Sequence, residues 1–324
     1  MAPDKFKGTF RAAQVAGVIG RGLERAGLLP PDLCPVADGG DGTLDALLVQ
    51  LGGELVARTV RGPLGDPVKT GFALVEDGGT AIVEMAMASG LALVDRKDPW
   101  EASTYGTGEL IAAAAQAGAA VILVAVGGSA TTDGGAGAIE AIEAAGGLGG
   151  ARIVILSDVR TPFEDAPRVF GPQKGADEAM VRRLEQRLDA LAQRLPRDPR
   201  GVPMTGAAGG LSGGLWAQYG AALEPGAPFV LDAVDFDRRM LAARAVVTGE
   251  GKLDEQTLHG KLVGEIGTRA RQNGVPLHAI VGTDALDAFG KRMIDLQMVL
   301  EATTLQAIED AGERLGEALA TGAA

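Results

Sequence analysis

The chain has 324 residues, enough for one large domain or two ordinary ones, and its 30 basic against 42 acidic side chains give a formal charge of −12. That balance argues against a nucleic-acid partner, which is held through clustered Lys and Arg. An apolar share of 46% with 22% charged residues argues against intrinsic disorder, and 49 glycines without a triplet period exclude collagen.

The single cysteine, Cys34, can form no internal disulfide, and His259 and His278 are too few for a His-rich zinc site. Residues 1–7 lack the apolar core of a secretory signal, and no run of about 20 apolar residues exists to span a membrane. A reducing, cytoplasmic setting is expected, with chemistry carried by carboxylates, lysines, hydroxyls and backbone amides.

Ala12, Val15, Ile19, Leu23 and Ala26 recur at helical spacing and predict a helix over 9–26, capped by Thr9 and ended at Gly27. A Gly-rich loop from Ala37 to Gly42 leads into a short helix from Thr43. The period then changes to two, predicting strands over 54–60, 68–75 and 80–86 in an antiparallel meander. From Gly106 a βα rhythm follows: helix 107–117, strand 119–126, helix 134–145, strand 152–157. The helix over 177–195 carries a Val181, Leu184, Leu188, Leu191, Leu195 stripe stopped by Pro196. Residues 196–214 read as irregular. Strands over 229–234, 245–248, 277–281 and 297–300 then alternate with helices over 236–243, 262–272, 286–293 and 305–319.

This alternation implies a parallel sheet with right-handed crossovers. The expected architecture is two-domain α/β. Residues 1–60 and 228–324 would form a Rossmann- or flavodoxin-like parallel-sheet domain, and residues 61–227 an inserted mixed α/β domain. The active site is expected in the cleft between them.

Eight of the 30 basic residues are lysines, leaving 30 − 8 = 22 arginines, yet Lys5, Lys7, Lys174, Lys252 and Lys261 all sit in glycine-containing loops. An ammonium on a flexible stem suits the moving charge of a phosphoryl group in transit. Solvated loop lysines are the plain alternative. Gly127, Gly128, Ser129, Thr131, Thr132 and Asp133 follow a buried strand and open a helix, where backbone N–H groups bind anions. Asp133 is a candidate for magnesium coordination or for accepting a hydroxyl proton. The loop matches neither the Walker A pattern nor G-x-G-x-x-G, and a tight turn without ligand is the alternative.

A third loop, 248–257, stands at the carboxyl end of a predicted strand with Gly249, Glu250, Gly251 and Asp254, and Lys261 follows. Glu250 and Asp254 are hard oxygen ligands suited to magnesium. Asp38 and Asp41 alternate with Gly39, Gly40 and Gly42, and Gln173 and Lys174 lie beside a rigid Gly-Pro turn. Gly206 to Gly210 permits close backbone contact. His259 beside Lys261 is a candidate base, although a lone loop histidine is more often a surface residue.

Taken in order, the segments 2–8, 37–43, 127–137, 170–176, 207–211 and 247–257 resemble the class I glycerate kinase family over nearly the whole chain. The resemblance implies a two-domain α/β fold distinct from P-loop, sugar and protein kinases. It also implies ATP-dependent phosphorylation of D-glycerate at the 2-hydroxyl, giving 2-phosphoglycerate and ADP, with Mg2+. Lys7, Asp133 and Asp254 are then the expected catalytic residues, with Asp133 and Asp254 on the metal. Asp4, Asp38, Gly39, Gly40, Gln173 and Lys174 are expected on the glycerate side. Gly127, Gly128, Ser129, Thr131, Thr132, Gly249, Glu250, Gly251 and Lys261 are expected on the nucleotide phosphates. The expected partner is the small-molecule substrate, with no nucleic acid, no membrane, and a homodimer left open.

Five features depart from the family pattern. Relatives run an apolar strand into the Ala-Pro-Asp motif, so the opening Met1-Ala2-Pro3 suggests a start assigned too late, and an added upstream strand is expected to raise stability. The link 146–158 is short, and residues 158–163 read Asp-Val-Arg-Thr-Pro-Phe in place of Asp-Val-x-Asn-Pro-Leu. Asp41 replaces a common Glu, and Lys252 a common Arg. The competing readings are a nicotinamide-dependent oxidoreductase of 2-hydroxy acids and a non-catalytic glycerate-binding regulatory protein.

Overall fold

Alternating apolar strands and amphipathic helices build two sheets, each the centre of its own compact unit, in a computed structural model that describes residues 1–6, 9–259 and 261–321. In chain order the elements are β1 (Ala2–Pro3), α1 (Ala12–Arg25), α2 (Thr43–Leu51), β2 (Glu54–Arg61), β3 (Pro67–Val75), β4 (Thr80–Glu84), α3 (Ala86–Ser89), α4 (Tyr105–Gln116) and β5 (Val121–Ala125). Then follow α5 (Ala136–Ala144), β6 (Arg152–Ser157), α6 (Ala166–Phe170), α7 (Glu178–Ala192), α8 (Leu211–Tyr219) and β7 (Ala222–Pro225). The remainder is α9 (Gly226–Ala233), α10 (Phe236–Leu241), β8 (Val246–Gly249), α11 (Leu262–Asn273), β9 (Leu277–Val281), α12 (Ala288–Met293), β10 (Leu296–Glu301) and α13 (Leu305–Thr321).

The first unit comprises Met1–Asp38, Asp45–Gln50 and Ala227–Ala324. Its sheet runs β1-β8-β9-β10 and is parallel throughout. Val15, Ile19 and Leu23 of α1 and Ile308, Ala311 and Leu315 of α13 pack with Val247 and Ile280 of the sheet. The second unit comprises Gly39–Leu44 and Leu51–Gly226. Its sheet runs β2-β3-β4-β5-β6-β7, antiparallel from β2 to β4 and parallel from β4 to β7. Phe72, Val83, Leu110, Ile122, Val124, Ile142, Ile155 and Leu215 form its core. The α/β class expected from the alternation is what the chain adopts.

Two local expectations are corrected. Residues 229–234 form helix α9 instead of a strand, because Val230 and Leu231 are buried inside the unit and a short apolar run has no periodicity to separate helix from strand. The first helix begins at Ala12, not at Thr9. Phe6 and Phe10 exchange backbone hydrogen bonds of 2.9 and 3.0 Å that place Thr9 in a turn, and the Gln14 side chain accepts from Arg11 N at 3.0 Å to start the helix there. The four-residue strand β7 gave no alternating signal. Among the described residues, no helix is long and apolar enough to cross a membrane.

Candidate functional site

In open α/β sheets the loops beyond the carboxyl ends of parallel strands form the ligand crevice. In the second unit, four such ends converge on segment 39–44. Val126, just past β5, donates its N–H to Gly39 O at 3.1 Å and to Leu156 O of β6 at 3.2 Å. Gly39 has a φ of +89°, and a Cβ there would lie 2.6 Å from Gly226 Cα, just past β7. Glu84, the last residue of β4, accepts from Gly42 N at 2.9 Å and Leu44 N at 3.2 Å. A Cβ on Gly127 would stand 2.8 Å from Gly40 Cα, so only glycine lets the 39–44 and 127–133 segments meet backbone to backbone.

The lysine expected on the substrate side is part of this edge. Lys174 ends the short turn Pro172–Lys174 and is 1% exposed. Its Nζ donates to Ser129 Oγ at 2.7 Å and to Thr131 O at 2.5 Å. Burial pulls the ammonium down to about 7, against the nearby charge of Asp133, which raises it. The hydroxyls of Thr131 and Thr132 are buried and have no hydrogen-bond partner among the described residues. A buried polar group of this kind is costly unless something binds it. Gln173 is exposed, and its backbone carbonyl accepts from Lys97 Nζ at 3.0 Å.

Asp133 is buried and fully used by the protein. Its Oδ2 accepts from Thr104 N and Thr104 Oγ1, both at 2.8 Å, and from Gly137 N at 3.2 Å; its Oδ1 accepts from Gly135 N at 3.0 Å. The carboxylate therefore ties the start of α4 to the start of α5, where both helix dipoles favour a negative charge.

In the first unit, Asp4 and Glu250 lie at the carboxyl ends of neighbouring strands β1 and β8, and Asp4 N donates to Gly249 O at 2.8 Å. Burial raises the Asp4 carboxyl well above the usual range, and the charges of Asp38 and Glu250 add to the shift. Burial likewise lifts Glu250 to about 7, offset by the Thr257 hydroxyl, which donates to it at 2.7 Å, and by Lys261. Asp254 is paired with Lys252 at 3.1 Å and accepts from Gln256 N at 3.0 Å. Lys261 Nζ donates to Gln256 Oε1 at 2.8 Å. Gly251 O accepts from Thr283 N at 3.1 Å.

The expected site residues thus fall into two groups. Asp4, Asp38, Gly249, Glu250, Gly251, Asp254 and Lys261 belong to the first unit; Gly39, Gly40, Gly127, Gly128, Ser129, Thr131, Thr132, Asp133, Gln173 and Lys174 belong to the second. Lys7 and the side chain of His259 lie outside the described residues. From the sequence alone Glu84 is only part of the strand expected over 80–86. Its one signal is an acid closing the apolar run Ala-Ile-Val.

The sequence profile described as the Glycerate kinase family matches residues 1–147 and 144–322, nearly the entire chain. The chain belongs to the glycerate kinase family. It is similar to the glycerate kinase of Bacillus subtilis (strain 168), 38% identical over 328 residues that span 89% of this chain and 85% of that one. It is 36% identical over 324 residues to the glycerate 2-kinase of Escherichia coli (strain K12), spanning 87% and 84% of the two chains. A crystal structure described as glycerate kinase 2 from Salmonella typhimurium LT2 aligns with a TM-score of 0.83 and 33% identity, covering 99% of this chain and 98% of that one.

Mg2+ is an expectation from the sequence, and the donor sets differ in how well they suit it. Among the described residues, no three His, Cys, Asp or Glu side chains group as a metal-binding set. Mg2+ typically takes only one or two protein carboxylates beside phosphate oxygens and water. Asp254, partly exposed with Glu250 near it, fits that requirement. Asp133 does not, because four donors already occupy its oxygens.

Proposed function

We propose that the chain transfers the terminal phosphoryl group of ATP to the 2-hydroxyl of D-glycerate, releasing 2-phosphoglycerate and ADP. Family membership supports the reaction class. The observation that carries the reading within this chain is Lys174, a buried ammonium bonded to Ser129 beside two buried threonine hydroxyls that lack partners among the described residues. Phosphoryl transfer is mainly positioning and charge neutralisation, and this cluster offers both.

Lys174 sits near neutrality because burial opposes its charge. An arriving carboxylate or phosphate restores the charged form, so the ammonium is strongest when an anion is bound. Ser129, Thr131 and Thr132 supply hydroxyl donors along the same loop, and Gly127 and Gly128 allow close backbone approach. Asp133 holds this loop to α4 and α5 and opposes the loss of the Lys174 charge. In the first unit, Asp254 and Glu250 are the carboxylates that would hold Mg2+, which when bound neutralises phosphate charge.

The test is ADP release from D-glycerate, ATP and Mg2+, with the product resolved by phosphorus NMR. A 2-phosphoglycerate signal growing in step with ADP is expected. A 3-phosphoglycerate signal would overturn the assigned hydroxyl, and glycerate binding without ADP release would overturn the kinase reading itself.

A further inference from the structure

Glu84 is 4% exposed at the end of β4, and its carboxyl group is committed three times over. Gly42 N donates to Oε1, Leu44 N donates to Oε2, and a side-chain hydrogen bond joins Glu84 to Asp41. Two carboxyl groups can share a hydrogen bond only when one of them carries a proton, because an ionised carboxylate has nothing to donate. The titratable side chain that acts most strongly on Glu84 is Asp41, and it pushes the carboxyl up.

The segment held in this way is the one that brings Gly40 against the phosphate-side loop at Gly127. Capping the start of α2 accounts for the two backbone N–H groups. It does not account for a second acid bonded to the first.

We propose that Glu84 is a positioning residue that works as a neutral carboxylic acid, sharing its proton with Asp41 and so holding segment 39–44 in the shape that receives the substrate. The identity of that substrate rests on the glycerate kinase reading above. Burial, followed by the Asp41 bond, lifts the Glu84 carboxyl to about 8, so the proton is kept at neutral pH and lost above it. Once it is lost, two carboxylates repel across the bond and the segment is released.

The experiment compares the wild type with Glu84→Gln and Glu84→Ala between pH 7 and pH 9. For the wild type, KM for D-glycerate is expected to rise about tenfold across that window, with kcat moving less, as the neutral form is depleted above its pKa. Glu84→Gln keeps a donor for Asp41 that cannot ionise but gives up one of the two acceptors for Gly42 N and Leu44 N. Its KM is therefore expected to start above the wild-type value at pH 7 and to lack the wild-type rise, keeping only the pH dependence that other groups such as Lys174 impose. Glu84→Ala removes the tether and is expected to raise KM at every pH. A flat wild-type profile, a Gln profile that rises like the wild type, or an unchanged KM in the Ala variant would each overturn the proposal.

Thermal unfolding without substrate supplies a readout that does not depend on the reaction. The Tm difference between Glu84→Gln and wild type is expected to move by roughly 2 °C in favour of Gln from pH 7 to pH 9. A constant difference would mean that Glu84 is already ionised at pH 7. If glycerate is not turned over at all, this arm still decides the role of Glu84, so the two failures can be told apart.

Discussion

Lys174 Nζ and Ser129 Oγ lie 2.7 Å apart although 45 residues separate them in the chain, and the lysine is 1% exposed. The folded protein thus keeps an ammonium where its charge is opposed, at about 7, against 10.5 for an exposed lysine. The lowered value means the folded state binds fewer protons than the unfolded chain between those limits. Stability is therefore fully present above 10.5 and is lost as pH falls through the folded value, at about 1.4 kcal/mol per pH unit within the window. In Lys174→Met this dependence disappears. Denaturant unfolding at pH 7 and pH 9 should show the wild type gaining about 2 kcal/mol on the variant. Turnover of the Met variant should fall by about 10²–10³, the scale of losing one preorganised charged donor. Equal pH dependence in both proteins would show that Lys174 is charged in the fold as in water.

Gly127→Ala tests the backbone contact directly. The added Cβ would stand 2.8 Å from Gly40 Cα and 3.1 Å from Asp41 N, both main-chain atoms that no rotamer change can move. The two segments must separate, at a cost of about 1–3 kcal/mol. The expected outcome is a folded protein with reduced thermal stability and a KM for D-glycerate raised about tenfold or more, since a misplacement of about 1 Å in a binding segment costs of that order. An Ala variant with wild-type KM would show that the contact does not shape the substrate site.

The elements most legible in the sequence were those with one dominant signal. Strands β6 and β9 occupy residues 152–157 and 277–281, the apolar runs bounded by polar or glycine residues. Helix α9 was not legible, because burial of Val230 and Leu231 overrides strand propensity in a run too short to show a period. The candidate site divides in the same way. Its loops announced themselves through glycines, hydroxyls and lysines, but the pairings within them did not. The hydrogen bonds of Asp133 depend on Thr104, 29 residues earlier, and the environment of Glu84 depends on a loop 42 residues earlier. A pattern of residue types shows where polar chemistry is concentrated; only the packed chain decides which oxygen each donor reaches.

Asp133→Asn follows from that point. Every partner of Asp133 is a donor, so an amide in its place must turn its own NH2 toward at least one N–H or O–H. Leaving buried donors unpaired costs about 1–3 kcal/mol each. The Asn variant should lose about 2–4 kcal/mol in urea unfolding without any added metal. A carboxylate that served only to bind magnesium would show the opposite pattern, with unchanged stability of the metal-free protein and a shifted Mg2+ dependence of turnover.

His278 offers a stability test away from the proposed site. It lies in β9 between Val247 of β8 and Met298 of β10, fully buried, and neither ring nitrogen has a hydrogen-bond partner among the described residues. Burial lowers its pKa below the ordinary 6.5, so the fold holds the ring neutral and resists its protonation. The unfolded chain binds the proton more readily, which makes the contribution complete above pH 6.5 and loses it as pH falls through the folded value. His278→Leu removes two unpaired polar atoms and the acid sensitivity together. At pH 7.5 the variant should equal or exceed wild-type stability, by up to about 2 kcal/mol, the scale of an unsatisfied buried group. At pH 5 the gap should widen further, while turnover at neutral pH stays unchanged. If urea unfolding gives the same gap at both pH values, the ring is protonated with equal ease in both states, and the apolar sheet around it is not what sets its charge.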